Sequence, residues 1–259
     1  MKISQAYVSP TLEKTFGSNF RSKWGFKKYS DIRKPAVFFG MYSDIDRKAF
    51  INHKGISIVV WGGGDMKPNS LQLVKSVIDA NRSYTGAYSG EFSDILKSNG
   101  ISHKQIYIPL KDYSNFTPTP LGDKIYAYRG VNGNRESYFK WNEVISPIIK
   151  HFGEDTVIYT ERESIDNLLE NYYKKSFIYI KPTPKGGCTA MFELGHMGRK
   201  TIGNGLGNLP NVLSYKSTSD IIKLIEDESK YIGKIRYDIC TSTKNIFIGS
   251  EWTHLDFWR

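Results

Sequence analysis

The sequence predicts an α/β protein built as two Rossmann-like domains in series with an interdomain cleft, and three observations carry that expectation. Short β-branched and aromatic runs alternate with segments of helical periodicity from residue 36 onward. The alternation pauses at 111–122, KDYSNFTPTPLG, where turn residues and two prolines mark a linker, and then restarts. The 259 residues divide into two units of about 130 each, near the usual domain size. The expected ranges are 1–115, 116–245, and a C-terminal segment 246–259, EWTHLDFWR at its end, whose two tryptophans and phenylalanine should pack back on the first unit.

In the first unit, 36–40 (AVFFG) and 56–61 (ISIVVW) are apolar runs bounded by proline and glycine, the pattern of buried strands. A charged segment at 44–53 lies between them and reads as a helix. A second helix over 70–81 repeats apolar residues at helical spacing after a Pro68–Ser70 start signal. A weaker strand at 83–88, a short helix at 90–98 and a strand at 105–110 (QIYIPL) follow. Beyond the linker come strands at 124–129 and 156–160, helices at 136–151 and 164–175, and a strand at 200–203 before a helix at 219–231. Strand and helix in alternation imply parallel strands covered by helices.

A net charge of +10 draws polyanions, phosphorylated small molecules or anionic membranes to the surface, or reflects only a solvated basic face. Two cysteines, Cys188 and Cys240, exclude a disulfide framework and a cysteine zinc site. No apolar run approaches the roughly 18 residues that span a bilayer, and the first ten residues lack the apolar core of a signal peptide. A soluble, cytoplasmic monomer is expected.

The window 177–202, FIYIKPTPKGGCTAMFELGHMGRKTI, concentrates the chemistry. A buried strand is stopped by Pro182 and Pro184, and Gly186 and Gly187 open a helix that carries Glu193 two turns on and ends at Gly198. A helix that starts on glycines presents free N–H groups and its positive dipole end to an anion. The alternative is a plain glycine turn closing an ordinary βα unit. In the first unit, Trp61 is followed by Gly62, Gly63, Gly64 and Asp65 directly after the best strand, where ligands of α/β folds sit. Gly63 and Gly64 permit close backbone approach of an acceptor, and Asp65 is the candidate base or sugar-orienting carboxylate. A turn or helix-capping role for Asp65 stands beside that reading. His196 is a candidate sugar contact or a packed histidine. The segment 14–34 interleaves basic residues with Phe16, Phe20, Trp24, Phe26 and Tyr29. Arg21, Trp24 and Lys27 there read as a nucleic-acid acceptor surface, or else the aromatics are core.

The second unit resembles the donor-binding half of the GT-B glycosyltransferases that use nucleotide sugars. Glu193 to Gly198 followed by Arg199 to Ile202 is similar to the family's helix end and next strand, 124–130 to its opening strand, and 220–226 to its late helix. The spacing to Arg135 and Lys140 is similar to that of the family's basic residues that reach the donor diphosphate. The resemblance implies that Glu193 binds the ribose hydroxyls. It also implies that Arg129, Arg135, Lys140, Lys185, Gly186, Gly187, Cys188 and Thr189 hold two phosphates without a metal, a UDP-sugar being the first choice of donor. Many retaining members carry a second glutamate eight positions before the first; here that position is Lys185. The chain is short for the fold, as in viral or phage members, which would place it in a host cytoplasm.

The function expected is transfer of a sugar from a nucleotide sugar to an acceptor hydroxyl, with a hydroxymethylated pyrimidine in DNA as one acceptor and a surface glycan as the other. A non-catalytic nucleic-acid or nucleotide-binding protein is the alternative from another class. An epimerase is disfavoured, because no G-x-G-x-x-G follows an early strand.

Overall fold

Two all-parallel sheets organise the chain in a computed structural model that describes residues 1–87, 90–130, 139–161, 163–182, 189–204 and 209–259. One unit comprises Met1–Asp112 with Phe247–Arg259, the other Tyr113–Ile246. Among the described residues no helix is long and apolar enough to cross a membrane.

The first sheet contains β1 (Gln5–Val8), β2 (Lys27–Lys28), β3 (Ala36–Phe39), β4 (Ser57–Val60), β5 (Ser83–Ala87) and β6 (Lys104–Gln105) in the order β2-β1-β3-β4-β5-β6. Every residue of β3 and β4 is buried, which is why these two strands read as continuous apolar runs rather than as alternation. Leu71, Val74 and Val77 of the helix Pro68–Asp79, with Phe92 and Leu96 of the helix Gly90–Ser98, cover one face. Phe20, Trp24 and Phe26 cover the other, together with Trp252 and Trp258 from the C-terminal segment. Trp252 meets Trp24 edge-on at 5.1 Å and Phe26 at 5.7 Å.

Three features of this sheet differ from the sequence pattern. β1 and β2 precede the first expected strand; β2 is two exposed lysines that pair because β1 offers them an edge. Of the expected strand at 105–110 only Gln105 joins the ladder, as the end of β6. Ile106 and Ile108 are buried in the core, and Pro109, which has no N–H to give, directs its carbonyl to Trp24 Nε1 at 3.1 Å.

The second sheet contains β7 (Lys124–Tyr128), β8 (Val157–Thr160), β9 (Ser176–Lys181), β10 (Lys200–Gly203) and β11 (Val212–Leu213) in the order β11-β10-β9-β7-β8. Ile125, Ile178, Ile180 and Ile202 form its core with Trp141, Ile148, Ile221 and Ile225 from the covering helices. The linker is fastened to this unit by Arg199, whose guanidinium is fully buried. It donates to the carbonyls of Ser176 at 3.2 Å, Thr119 at 3.1 Å, Pro120 at 2.7 Å and Lys174 at 3.3 Å, and to that of Met197. A helix at Tyr237–Asn245, absent from the sequence reading, packs on Thr189–His196 where Gly195 leaves space. A Cβ there would lie 2.6 Å from Asn211 Nδ2 and 2.7 Å from Thr243 Oγ1.

In each sheet the strand order reverses once, between β1 and β3 and between β7 and β9. Ligands of open parallel sheets bind beyond the carboxyl ends of the strands at such reversals.

Candidate functional site

At the reversal of the second sheet, β7 runs into Arg129. Its N–H donates to the Thr160 carbonyl at 2.8 Å, which holds it level with the end of β8. The guanidinium lies 5.3 Å from the Trp141 ring and 5.6 Å from that of Tyr159, with Glu161 Oε1 at 4.0 Å. Aromatic contacts of this kind fix a guanidinium's direction without neutralising it. On the other side of the reversal, β9 ends in Lys181, a buried lysine. Sequence reasoning passed over it. A cation at the carboxyl end of a central strand is the signal that could have found it.

Glu193 occupies the helix Thr189–His196 and is 4% exposed. Its Oε2 accepts a hydrogen bond of 2.6 Å from the Tyr173 hydroxyl. Tyr173 closes the helical stretch Leu168–Tyr173 and stands edge-on to Tyr126 of β7, whose ring stacks on Tyr179 of β9. The Tyr126 hydroxyl shares a 2.8 Å bond with Thr160 Oγ1. Burial, and then the Glu193 charge, raise the Tyr173 pKa well above that of a free tyrosine, so the hydroxyl keeps its proton and remains the donor. Sequence reasoning passed over Tyr173, because its partner is 20 residues away.

Thr189 is the first residue of the Glu193 helix and is half-buried. Lys140 takes a left-handed backbone conformation, φ +52°, and its Nζ lies 3.2 Å from Glu143 Oε1 on the surface. His196 presents Nδ1 to the Phe192 carbonyl at 2.7 Å, so Nδ1–H donates, and its ring stacks on Tyr113 at 4.9 Å. It is a packed histidine. Arg135, Lys185, Gly186, Gly187 and Cys188 lie outside the described residues. Among the described residues no group of three or more His, Cys, Asp or Glu side chains is arranged to hold a metal ion.

In the first unit the expected roles change. Asp65 is fully buried, and its carboxylate accepts from Met41 N–H at 2.8 Å and from Gly62 N–H at 3.0 and 3.2 Å. It ties the glycine turn after β4 to the turn after β3. Burial pushes its pKa up against the pull of these N–H donors. The general-base role assigned to Asp65 therefore gives way to a structural one, since reaching an acceptor would break both turns. Gly63, at φ +112°, and exposed Gly64 stay on the carboxyl edge. Trp24 is likewise a correction: its ring is core and its indole N–H is spent on Pro109. Arg21 pairs with Glu13, Nη1 lying 3.0 Å from Oε2, and Lys27 is exposed on β2. The three do not form one acceptor surface.

The fold has solved counterparts. The chain is similar to sucrose-phosphate synthase from Thermosynechococcus elongatus at 11% identity, with a TM-score of 0.60 over 96% of this chain and 76% of that one. It is also similar to HepE of Anabaena, solved in complex with UDP and glucose, at 8% identity and a TM-score of 0.59 over 98% and 83%. A glycosyltransferase from Rickettsia africae matches at 12% identity with a TM-score of 0.55, over 92% of this chain and 77% of that one. No protein-family model and no curated protein sequence matches the chain. At these identities the likeness establishes the fold alone: two parallel-sheet α/β units, similar to those of GT-B glycosyltransferases.

Proposed function

We propose that the protein is a glycosyltransferase whose second unit holds a nucleotide-sugar donor at the carboxyl ends of β7 and β9. The observation that carries this reading is Glu193, a buried carboxylate oriented by Tyr173 on the helix that follows the reversal strand. A carboxylate there is a paired acceptor for the vicinal ribose hydroxyls of a nucleotide. Arg129 and Lys181, at the ends of the two strands, are the described cations suited to the diphosphate, with Thr189 opening the helix. Charge stabilisation of the departing diphosphate is the largest demand of glycosyl transfer, and fixed cations meet it without reorganising. Lys185, Gly186, Gly187, Cys188, Arg135 and Lys140 are assigned to the proposed phosphate site by their sequence position. UDP is the first nucleotide to test, since HepE was solved with it.

The acceptor is a hydroxyl, and the burial of Phe20, Trp24 and Phe26 favours a glycan over a hydroxymethylated pyrimidine in DNA. A flipped base needs aromatic faces to stack on, and those of segment 14–34 are core.

The test is donor consumption. The protein is incubated separately with UDP-, GDP-, ADP- and CMP-sugars, with glycan and hydroxymethylated-DNA acceptors, and release of nucleotide is measured. Turnover of one donor supports the reading. Nucleotide binding without turnover of any donor favours a binding protein instead.

A further inference from the structure

The aromatic and basic residues of segment 14–34 part company in the fold. Phe16, Phe20, Trp24 and Phe26 pack into one core cluster and half-buried Tyr29 packs against Phe38, while Lys23, Lys27, Lys28, Arg33 and Lys34 are exposed. The loop after β2 is firmly held. Buried Gln5 donates through Nε2 to the carbonyls of Asp31 at 2.6 Å and Lys34 at 3.1 Å, and its Oε1 accepts from Ser30 and Asp31 N–H, both at 3.1 Å. The Ile32 carbonyl accepts from Lys54 N–H at 2.7 Å and Gly55 N–H at 3.1 Å. The approach is so close that a Cβ on Gly55 would lie 2.6 Å from the Arg33 carbonyl oxygen.

A loop tied this way nevertheless turns its isoleucine outward. Ile32 is 45% exposed, and Ile51, three residues before Lys54, is 52% exposed. Beside them stand exposed Arg33, Lys34, Lys54 and Arg82, the last placed at the same amino-terminal edge of the sheet by the bond from Ser57 N–H to its carbonyl at 3.0 Å. Asp31 lies 3.5 Å from Lys34.

We propose that this amino-terminal edge of the first sheet is a docking surface for an anionic lipid bilayer. Cations are drawn to the negative surface potential of such a membrane, and isoleucines between them enter the boundary between headgroups and acyl chains. A nucleic acid would use the cations but gain nothing from exposed isoleucines, and the aromatic faces it needs are buried. A second copy would bring like charges together. The surface lies at the opposite end of the strands from Gly63 and Gly64, so docking leaves the carboxyl edge of this unit open.

The experiment is co-sedimentation of the full chain with vesicles of phosphatidylcholine, with and without equimolar phosphatidylglycerol, across a salt series, beside a duplex DNA titration. Binding to the anionic vesicles alone, weakening with salt, is expected. The double variant Arg33→Gln/Lys34→Gln should weaken it roughly 25-fold, at about fivefold per cation removed. Ile32→Ser, with melting temperature unchanged, should weaken vesicle binding severalfold and leave any DNA binding untouched. Absence of binding to anionic vesicles at low salt overturns the proposal. So does vesicle binding that neither variant alters, or DNA binding tighter than vesicle binding and indifferent to Ile32→Ser.

Discussion

The Tyr173 hydroxyl donates to Glu193 Oε2 at 2.6 Å, joining two buried groups from different helical stretches. If Glu193 receives a nucleotide, this bond aims it. Tyr173→Phe removes one hydroxyl and keeps the ring against Tyr126. The carboxylate then loses a donor worth about 1 to 2 kcal/mol, which should weaken nucleotide binding roughly five- to thirtyfold. Glu193→Ala should weaken it more. Isothermal titration checks both, with circular dichroism to show that each variant folds.

Asp65 serves the fold, so its loss should appear in stability. Asp65→Ala leaves the buried N–H groups of Met41 and Gly62 without the acceptor they share, at about 1 to 3 kcal/mol. Urea denaturation should show a lowered midpoint, while nucleotide affinity holds. A variant as stable as the parent but devoid of turnover would restore Asp65 as the base.

His53 sets an acid limit on stability. The ring is buried, 3.1 Å from the Tyr29 hydroxyl through Nδ1, and packs against Phe38. Burial, its main cause, depresses the pKa below the ordinary 6.5. The unfolded chain therefore binds a proton first, and the stability contributed by neutral His53 is lost as pH falls below about 6.5 and through the folded value. Melting temperature should drop between pH 7.5 and pH 5, and His53→Gln should flatten that part of the profile.

Arg199 holds the linker to the second unit through backbone carbonyls and the Thr119 hydroxyl. Arg199→Met fills much of the volume but strands those carbonyls, so a loss on the order of 3 kcal/mol is expected. Gly122→Ala should destabilise the same junction, because a methyl there would overlap the Lys175 carbonyl. Thermal denaturation and limited proteolysis near Thr119 check both.

The buried strands were legible in the sequence because parallel strands covered on both faces leave uninterrupted apolar runs such as AVFF and SIVV. β2 and β11, two residues each, have no such pattern; their neighbours' unpaired edges create them. The interleaved 14–34 segment was ambiguous for a related reason: composition cannot say which face of a helical stretch meets the core. Glu193 was legible as a carboxylate on a helix after a central strand. Its partner Tyr173 was not, since local periodicity carries no information about a contact between separate helices. Asp65 shows the converse, a glycine-rich turn whose carboxylate is consumed by the backbone it follows.

In the proposed function the second unit binds a nucleoside diphosphate through Glu193, Arg129 and Lys181. Thermal denaturation with UDP, GDP, ADP and CMP, for the wild-type chain and for Glu193→Ala, tests it most directly, because a ligand that binds only the native state raises the melting temperature by mass action. One nucleotide should raise the wild-type melting temperature in proportion to the logarithm of its concentration and leave Glu193→Ala unmoved. No shift with any nucleotide, or an equal shift in Glu193→Ala, would rule out this site.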